Sequence, residues 1–213
     1  MRKDIITVKN EASKIRFYSL ILLLETAKYI SISNYNLYFF IFVQSTWKIM
    51  QKIAIFPGSF DPFHIGHESI VRRSIPLFDK IIIMIGFNAN KKSFFPIENR
   101  LKWIHQVFQN VDKIEVRLYD GLTVDFCKEV GARYILRGLR TSADFEYERA
   151  IAQVNKKMHP EIETVFILTL PEHTPINATI IRDIIFHGGD AGMFLPKGLN
   201  IDEFKINSKK TNS

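Results

Sequence analysis

His64 and His67 stand on either side of Gly66, at the end of the run Ile-Phe-Pro-Gly-Ser-Phe-Asp-Pro-Phe-His-Ile-Gly-His that begins at Ile55. Each imidazole can donate a hydrogen bond to a phosphate oxygen. The run follows a short apolar stretch from Lys52 to Phe56 and precedes a segment in which Ile70, Val71, Ser74, Leu77 and Phe78 recur at helical spacing. The order is strand, tight loop, helix. Pro57, Gly58, Pro62 and Gly66 let the loop turn sharply and leave backbone N–H groups exposed where the helix begins. A helix start of this kind seats phosphate, and the combination points to a nucleotide. The competing reading makes the two histidines simple caps of a strand-to-helix turn.

Two further clusters carry charge suited to phosphate. Asn88-Ala-Asn-Lys-Lys92 offers two ammonium groups, of which Lys91 becomes a counter-charge for a transferring group if it stands beside the first loop, and part of a solvated loop if it does not. Arg137-Gly-Leu-Arg140 offers guanidinium forks that can grip phosphate in a bidentate way, with Gly138 allowing close approach. A structural salt bridge from these arginines to Glu146 or Glu148 is the rival account.

The elements that must position these groups are legible in the hydrophobic pattern. Lys80 to Gly86, almost continuous isoleucine, predicts a strand buried on both faces. Pro96 and Glu98 open a helix that runs through Gln109, because proline is tolerated in the first turn and acid favours its positive end. Lys113 to Leu118 reads as strand, Leu122 to Val130 as a helix closed by Gly131, and Tyr134 to Leu136 as a short strand. Ala143 to Met158 is helical in period, Thr164 to Leu168 is strand, and Thr179 to His187 is a helix ended by Gly188-Gly189. This alternation predicts an α/β fold, a Rossmann-like doubly wound parallel sheet in a single domain. Ligands bind such sheets beyond the carboxyl ends of the strands. Ser59 and His67, Asn88 to Lys91, Asp120 to Thr123, Arg137 to Arg140 and Pro171 to Thr179 all fall on that edge.

A chain of 213 residues suits one α/β domain, and 46% apolar content supplies its core. The single cysteine, Cys127, excludes an intramolecular disulfide and a Cys-rich zinc site and fits a reducing cytoplasm. The net charge of +7 suggests nucleic acid until it is divided along the chain. Residues 1–51 carry seven basic and three acidic groups, residues 205–213 carry three lysines and no acid, and the remainder balances at nineteen against nineteen. A neutral body argues against nucleic acid as a partner. The apolar runs Phe17 to Leu24 and Leu37 to Val43 fall short of the roughly 20 residues that span a bilayer, so no membrane partner is expected either. Glu25 to Lys28 stand where a signal peptide would place its cleavage site. Residues 1–49 are expected to be an extension outside the folded domain, which starts near Met50 and runs over 50–204, with 205–213 a basic tail.

His64-Ile-Gly-His67, with Gly58-Ser-Phe-Asp-Pro62 ahead of it, resembles the HxGH signature of the nucleotidyltransferase superfamily. Arg137-Gly-Leu-Arg140 followed by Asp144-Phe-Glu-Tyr-Glu148 resembles one family within it, the phosphopantetheine adenylyltransferases. The likeness covers nearly all of Lys52 to Leu199 in one register and includes Phe194-Leu-Pro196. It implies that the 50–204 domain moves an adenylyl group from ATP to 4′-phosphopantetheine, giving dephospho-coenzyme A and pyrophosphate in coenzyme A biosynthesis. By position it implies that His67 is catalytic and that Ser59, Lys91, Thr123 and Arg137 bind the acceptor. ATP would be held by Ser59, Phe60, His67, Gly138, Leu139, Arg140, Glu148 and the span His173, Thr174, Pro175, Ile176, Asn177, Ala178 and Thr179. It also implies a cytoplasmic homohexamer that uses magnesium. No carboxylates stand at metal-ligand spacing, so Mg2+ is expected to arrive with ATP rather than in a site of its own.

Two positions depart from that family. Its Ile-Ser-Ser-(Ser/Thr) phosphate-binding run reads Ile176-Asn177-Ala178-Thr179 here, which replaces one hydroxyl by an amide and one by a methyl. His64 stands where threonine is usual, and histidine there resembles the nicotinate mononucleotide adenylyltransferases, the alternative enzyme. A non-catalytic nucleotide-binding relative is a second alternative, motivated by Asn177 and Ala178. The literal His-Ile-Gly-His also resembles class I aminoacyl-tRNA synthetases, whose lysine-bearing KMSKS-type loop and greater length this chain lacks.

Overall fold

The computed structural model describes residues 51–86 and 93–199, which fall within one compact unit. The expected 1–49 extension, Lys91 with its neighbours, and the 205–213 tail lie outside the described residues. Five strands alternate with helices in chain order: β1 (Ile53–Gly58), α1 (Ile65–Ser74), β2 (Lys80–Gly86), α2 (Ile97–Phe108), β3 (Ile114–Tyr119), α3 (Thr123–Val130), β4 (Tyr134–Leu139), α4 (Ser142–Met158), β5 (Glu163–Leu168) and α5 (Ala178–Phe186). The sheet is parallel throughout, in the order β3-β2-β1-β4-β5, as the alternation predicts.

Period-two alternation along the inner strands divides the core between the two faces. Ala54, Phe56, Ile81, Ile83 and Ile85 pack with Ile70, Val71, Ile104 and Phe108 of α1 and α2. Ile55, Ile82, Met84 and Ile135 pack on the other side with Val124, Phe126 and Cys127 of α3. Cys127 is buried in α3, and burial raises its thiol to about 12. A third cluster of Phe95, Trp103, Ile176, Ile181, Ile185 and Leu195 docks α5 against α2. That docking brings the segment before α5 back over the carboxyl edge of the sheet. No helix among the described residues is long and apolar enough to cross a membrane.

β4 is longer than its apolar core predicts. The sequence suggests a strand that stops at Leu136, yet pairing with β5 continues through Arg137, Gly138 and Leu139. Polar side chains interrupt the hydrophobic pattern without interrupting backbone hydrogen bonds, so hydropathy ends the strand too early. Helical spacing also overruns in the first helix: α1 stops at Ser74, a 3-10 turn with Pro76 takes Ile75–Leu77, and Leu77 is 49% exposed. The missing N–H of proline ends the α-helical ladder there.

Candidate active site

β1 and β4 are neighbours at the point where the strand order reverses, and they pair only at Ala54–Tyr134 and Ile55–Ile135. β1 and β2, by contrast, register over six consecutive pairs. Beyond Ile55 the two central strands part, and the crevice between their carboxyl ends becomes the cleft. Gly138 keeps β4 close to α1, since a Cβ there would stand 3.1 Å from Ile70 Cγ1. The cleft has a volume of about 560 Å³ and is lined by the loop after β1, the end of β4, the first turns of α4 and the segment leading into α5.

Most of the residues singled out from the sequence meet here. Ser59, Phe60, His67, Arg137, Gly138, Arg140, Glu148, His173, Ile176, Asn177 and Ala178 all line this one cleft, as does His64. Thr123 lines a second cavity of about 300 Å³, which shares Pro57, Gly58, Arg137 and Glu148 with the first and is walled mainly by Met84, Ile135, Ile151 and Ala152. Leu139 instead turns into the core at 6% exposure. Thr174, Pro175 and Thr179 stand outside the lining; Thr174 Oγ1 donates to Leu170 O at 3.3 Å, and Thr179 Oγ1 accepts from Arg182 at 3.1 Å.

His67 lies three residues into the start of α1, where its Nδ1 accepts the His64 backbone N–H at 3.3 Å. With Nδ1 acting as acceptor, the proton of the neutral ring resides on Nε2. Phe56, Phe60 and Phe63 surround the ring at centroid distances of 6.3, 5.1 and 5.4 Å. The His64 ring stacks on it at 3.6 Å, and His64 Nδ1 is buried with no hydrogen-bond partner among the described residues. Burial first, then the neighbouring His64, Arg140 and Arg137, holds His67 well below the ordinary histidine range. Burial, then Arg140 and His173, lowers His64 to about 4. Both rings are therefore neutral at pH 7, and a neutral His67 offers one N–H donor without a charge of its own.

Cations frame the opposite wall. Arg137 forks onto Glu148, with Nε 2.7 Å from Oε2 and Nη2 on Oε1, and its Nη1 donates to Pro57 O at 2.8 Å. The salt bridge foreseen for this arginine thus selects Glu148, while Glu146 pairs with Arg149. Arg140 pairs with Asp144 at 3.0 Å and keeps 37% of its side chain exposed towards solvent. At α5, Asn177 is the N-cap: its Oδ1 accepts the Ile180 N–H at 2.9 Å. The amide at this position therefore does the work of a capping serine, which leaves the missing hydroxyl of Ala178 as the real loss.

Three residues of the site's framework escape sequence reading. Asp61 takes the N–H groups of Phe94 and Phe95 on its two carboxylate oxygens at 2.8 and 2.9 Å. Arg100 and Arg182 donate to the carbonyls of Ser59 and Asp61. Asp61 had a signal in its motif; the two arginines sit in amphipathic helices, where a lone cation reads as part of a solvated face.

Comparison with known proteins agrees with this geometry. The cytidylyltransferase-like family model matches residues 55–184. Among solved structures, a bifunctional NMN adenylyltransferase/ADP ribose pyrophosphatase from Francisella tularensis superposes with a TM-score of 0.56 at 19% identity, covering 76% of this chain and 50% of that one. A protein described as a putative nicotinate-nucleotide adenylyltransferase from Vibrio parahaemolyticus gives 0.53 at 19% identity, covering 74% of this chain and all of that one. At such identities these two establish the fold alone. Sequence relatives go further. Phosphopantetheine adenylyltransferase of Cytophaga hutchinsonii is 52% identical over 147 residues, 69% of this chain and 98% of its own length, and that of Flavobacterium psychrophilum is 49% identical over 148 residues, 70% of this chain and 97% of its own. Near-complete coverage of such relatives, at about half identity, means that the chain belongs to the phosphopantetheine adenylyltransferase family.

Proposed function

We propose that the protein transfers the adenylyl group of ATP to 4′-phosphopantetheine, releasing pyrophosphate and forming dephospho-coenzyme A. The observation that carries this reading is the two-lobed cleft, with Arg137 and Glu148 shared between the lobes. The larger lobe has two helix starts and two neutral histidines, which suits a triphosphate. The narrower lobe is mostly apolar with Thr123, Asn155 and Thr164 at intervals, which suits an amide-bearing aliphatic arm. The acceptor phosphate would then meet the α-phosphorus near the shared wall.

In this reading Ser59 and His67 contact the triphosphate, Gly138, Arg140, Glu148 and the His173 to Ala178 segment hold the nucleotide, and Thr123, Arg137 and Lys91 hold the acceptor. The acceptor phosphate is already an anionic nucleophile, so direct in-line attack needs no general base and no covalent intermediate. His67 Nε2–H donates to a non-bridging oxygen as charge shifts towards pyrophosphate, a contact strongest in the transition state. Inversion at phosphorus is the expected stereochemical result. In this reading magnesium enters with ATP, as part of the MgATP substrate.

We further propose that the protein works in the cytoplasm as a homohexamer. Supporting an assembled state, α4 has no buried residue and exposes Phe145, Ile151, Val154 and Met158 beside Leu168 of β5. Light scattering of the purified protein tests the size. Pyrophosphate release with 4′-phosphopantetheine or with nicotinate mononucleotide tests the activity: turnover with the first alone is expected, and turnover with the second alone would transfer the assignment to the alternative enzyme. ATP binding without turnover on either acceptor would make the chain a non-catalytic relative.

A further inference from the structure

The end of β1 runs into a loop that carries Ser59 and leads into His64 and His67, and alternate carbonyls along this stretch are each held by a guanidinium from a different element. Arg137 of β4 donates from Nη1 to Pro57 O at 2.8 Å, Arg100 of α2 to Ser59 O at 2.6 Å, and Arg182 of α5 to Asp61 O at 2.6 Å. Between the last two lies Phe60, whose φ of +47° is a left-handed conformation that side chains rarely adopt. Such a residue persists only where its surroundings over-determine it. Here both flanking carbonyls are tied, and the Phe60 ring is buried at 3% exposure.

Arg100 is itself only 4% exposed, with its Nε lacking a hydrogen-bond partner among the described residues. Burying a cation is costly unless opposing charge compensates. Asp61 and Glu98 supply that charge, against a desolvation that lowers the guanidinium's affinity for its proton. Arg182 has a second anchor: its Nη2 donates to Thr179 Oγ1 at 3.1 Å in the first turn of α5. One guanidinium thus joins the loop before α1 to the start of α5, the two helix starts that line the cleft.

We propose that Arg100 and Arg182 are positioning residues for adenylyl transfer. Together with Arg137 they clamp the carbonyls of Pro57, Ser59 and Asp61, keep those oxygens away from the anionic triphosphate, and fix the α1 start relative to the α5 start. The proposal rests on the reading of the cleft as a triphosphate site. A carbonyl oxygen turned towards phosphate would repel it, whereas a preorganised wall of N–H donors stabilises developing charge without reorganising during the reaction. Misplacing such donors by about 1 Å can cost roughly a hundredfold in rate.

The test compares Arg182→Met, Arg182→Lys and Arg100→Lys with the parent protein, with Arg149→Met as a control because Arg149 pairs with Glu146 at the surface. Four quantities are read: kcat, ATP dissociation constant by calorimetry, melting temperature, and hydrogen exchange across Ser59 to Phe63. Arg182→Met is expected to lower kcat by about 10- to 100-fold, change ATP affinity by less than about threefold, and speed exchange across the loop. Arg182→Lys should recover part of kcat, since lysine keeps the charge but cannot fork across both oxygens. Arg100→Lys should fall in the same direction, and Arg149→Met should match the parent. A lower melting temperature with kcat per folded molecule unchanged would overturn the proposal and leave the clamp a stability feature. A rise in ATP dissociation constant equal to the fall in kcat would also overturn it, by making Arg182 a direct nucleotide ligand. If the parent transfers no adenylyl group, the functional reading fails; unchanged exchange in Arg182→Met would then still refute the clamp.

Discussion

Two helix starts line the same cleft, and they do different things. At α1 the N-cap amide is satisfied by the side chain of His67, and two stacked imidazoles line the cleft. At α5 the capping oxygen of Asn177 is consumed by Ile180 N–H, and the next residue, Ala178, presents a methyl group. The first start therefore offers a side-chain donor that can respond to developing charge, while the second offers backbone N–H groups that are fixed throughout. Binding can be shared between them; rate acceleration should be concentrated at α1.

The largest test of that asymmetry is His67→Ala. Loss of one preorganised donor costs about 2.7–4 kcal/mol, so kcat should fall roughly a hundred- to a thousandfold with little change in ATP affinity. His64→Ala should lose less. A His67→Ala protein with normal kcat, and only the ~1 kcal/mol of stability expected from a lost cap, would erase the distinction between the two starts.

Acid should reveal the next effect, at the N-cap of α1. Burial, with Arg140 and His173, lowers His64 from 6.5 to about 4, so between those values the unfolded chain binds the proton that the folded chain refuses. Stability is then complete above pH 6.5 and is lost as pH falls towards 4, by on the order of 3 kcal/mol. His67 titrates in the parent and in His64→Gln alike, so in melting curves the parent should lose more stability than His64→Gln as pH falls through this range; equal acid sensitivity in both would remove His64 from the account.

At α5 the expected effects are smaller and concern binding or stability. Asn177→Ala should cost about 1 kcal/mol of folding free energy, a fall of roughly 2–4 °C in melting temperature, with kcat at saturating ATP little changed. Ala178→Ser should restore a donor and tighten ATP by about two- to fivefold, the yield of one net hydrogen bond of about 0.5–1 kcal/mol. A large change in kcat from either substitution would erase the distinction between the two starts.

Local pattern carried most of the fold because each strand and helix here is specified within its own few residues. β2 is Ile81-Ile-Ile-Met-Ile85, buried on both faces at 0–3% exposure, and no other element could accommodate such a run. Gly131, at φ +69°, ends α3 where a left-handed cap is required. The strand-loop-helix context of His64 and His67 was equally local, so the edge that carries the cleft is legible from the sequence. β4 shows the limit: Arg137 and Gly138 stay in the ladder through backbone bonds to β5 that hydropathy does not register.

The sequence by itself determined the order of elements, the parallel sheet and the family of the cleft, since periodicity, turn residues and contiguous motifs all act over short separations. The tertiary structure decided what those motifs are tied to. Arg182 reaches Asp61 across 121 residues and Arg137 reaches Pro57 across 80, and no spacing rule joins such positions. It also decided the charge state of the histidines: an imidazole's proton affinity follows the burial and the cations that folding assembles around it, and neither exists along an extended chain.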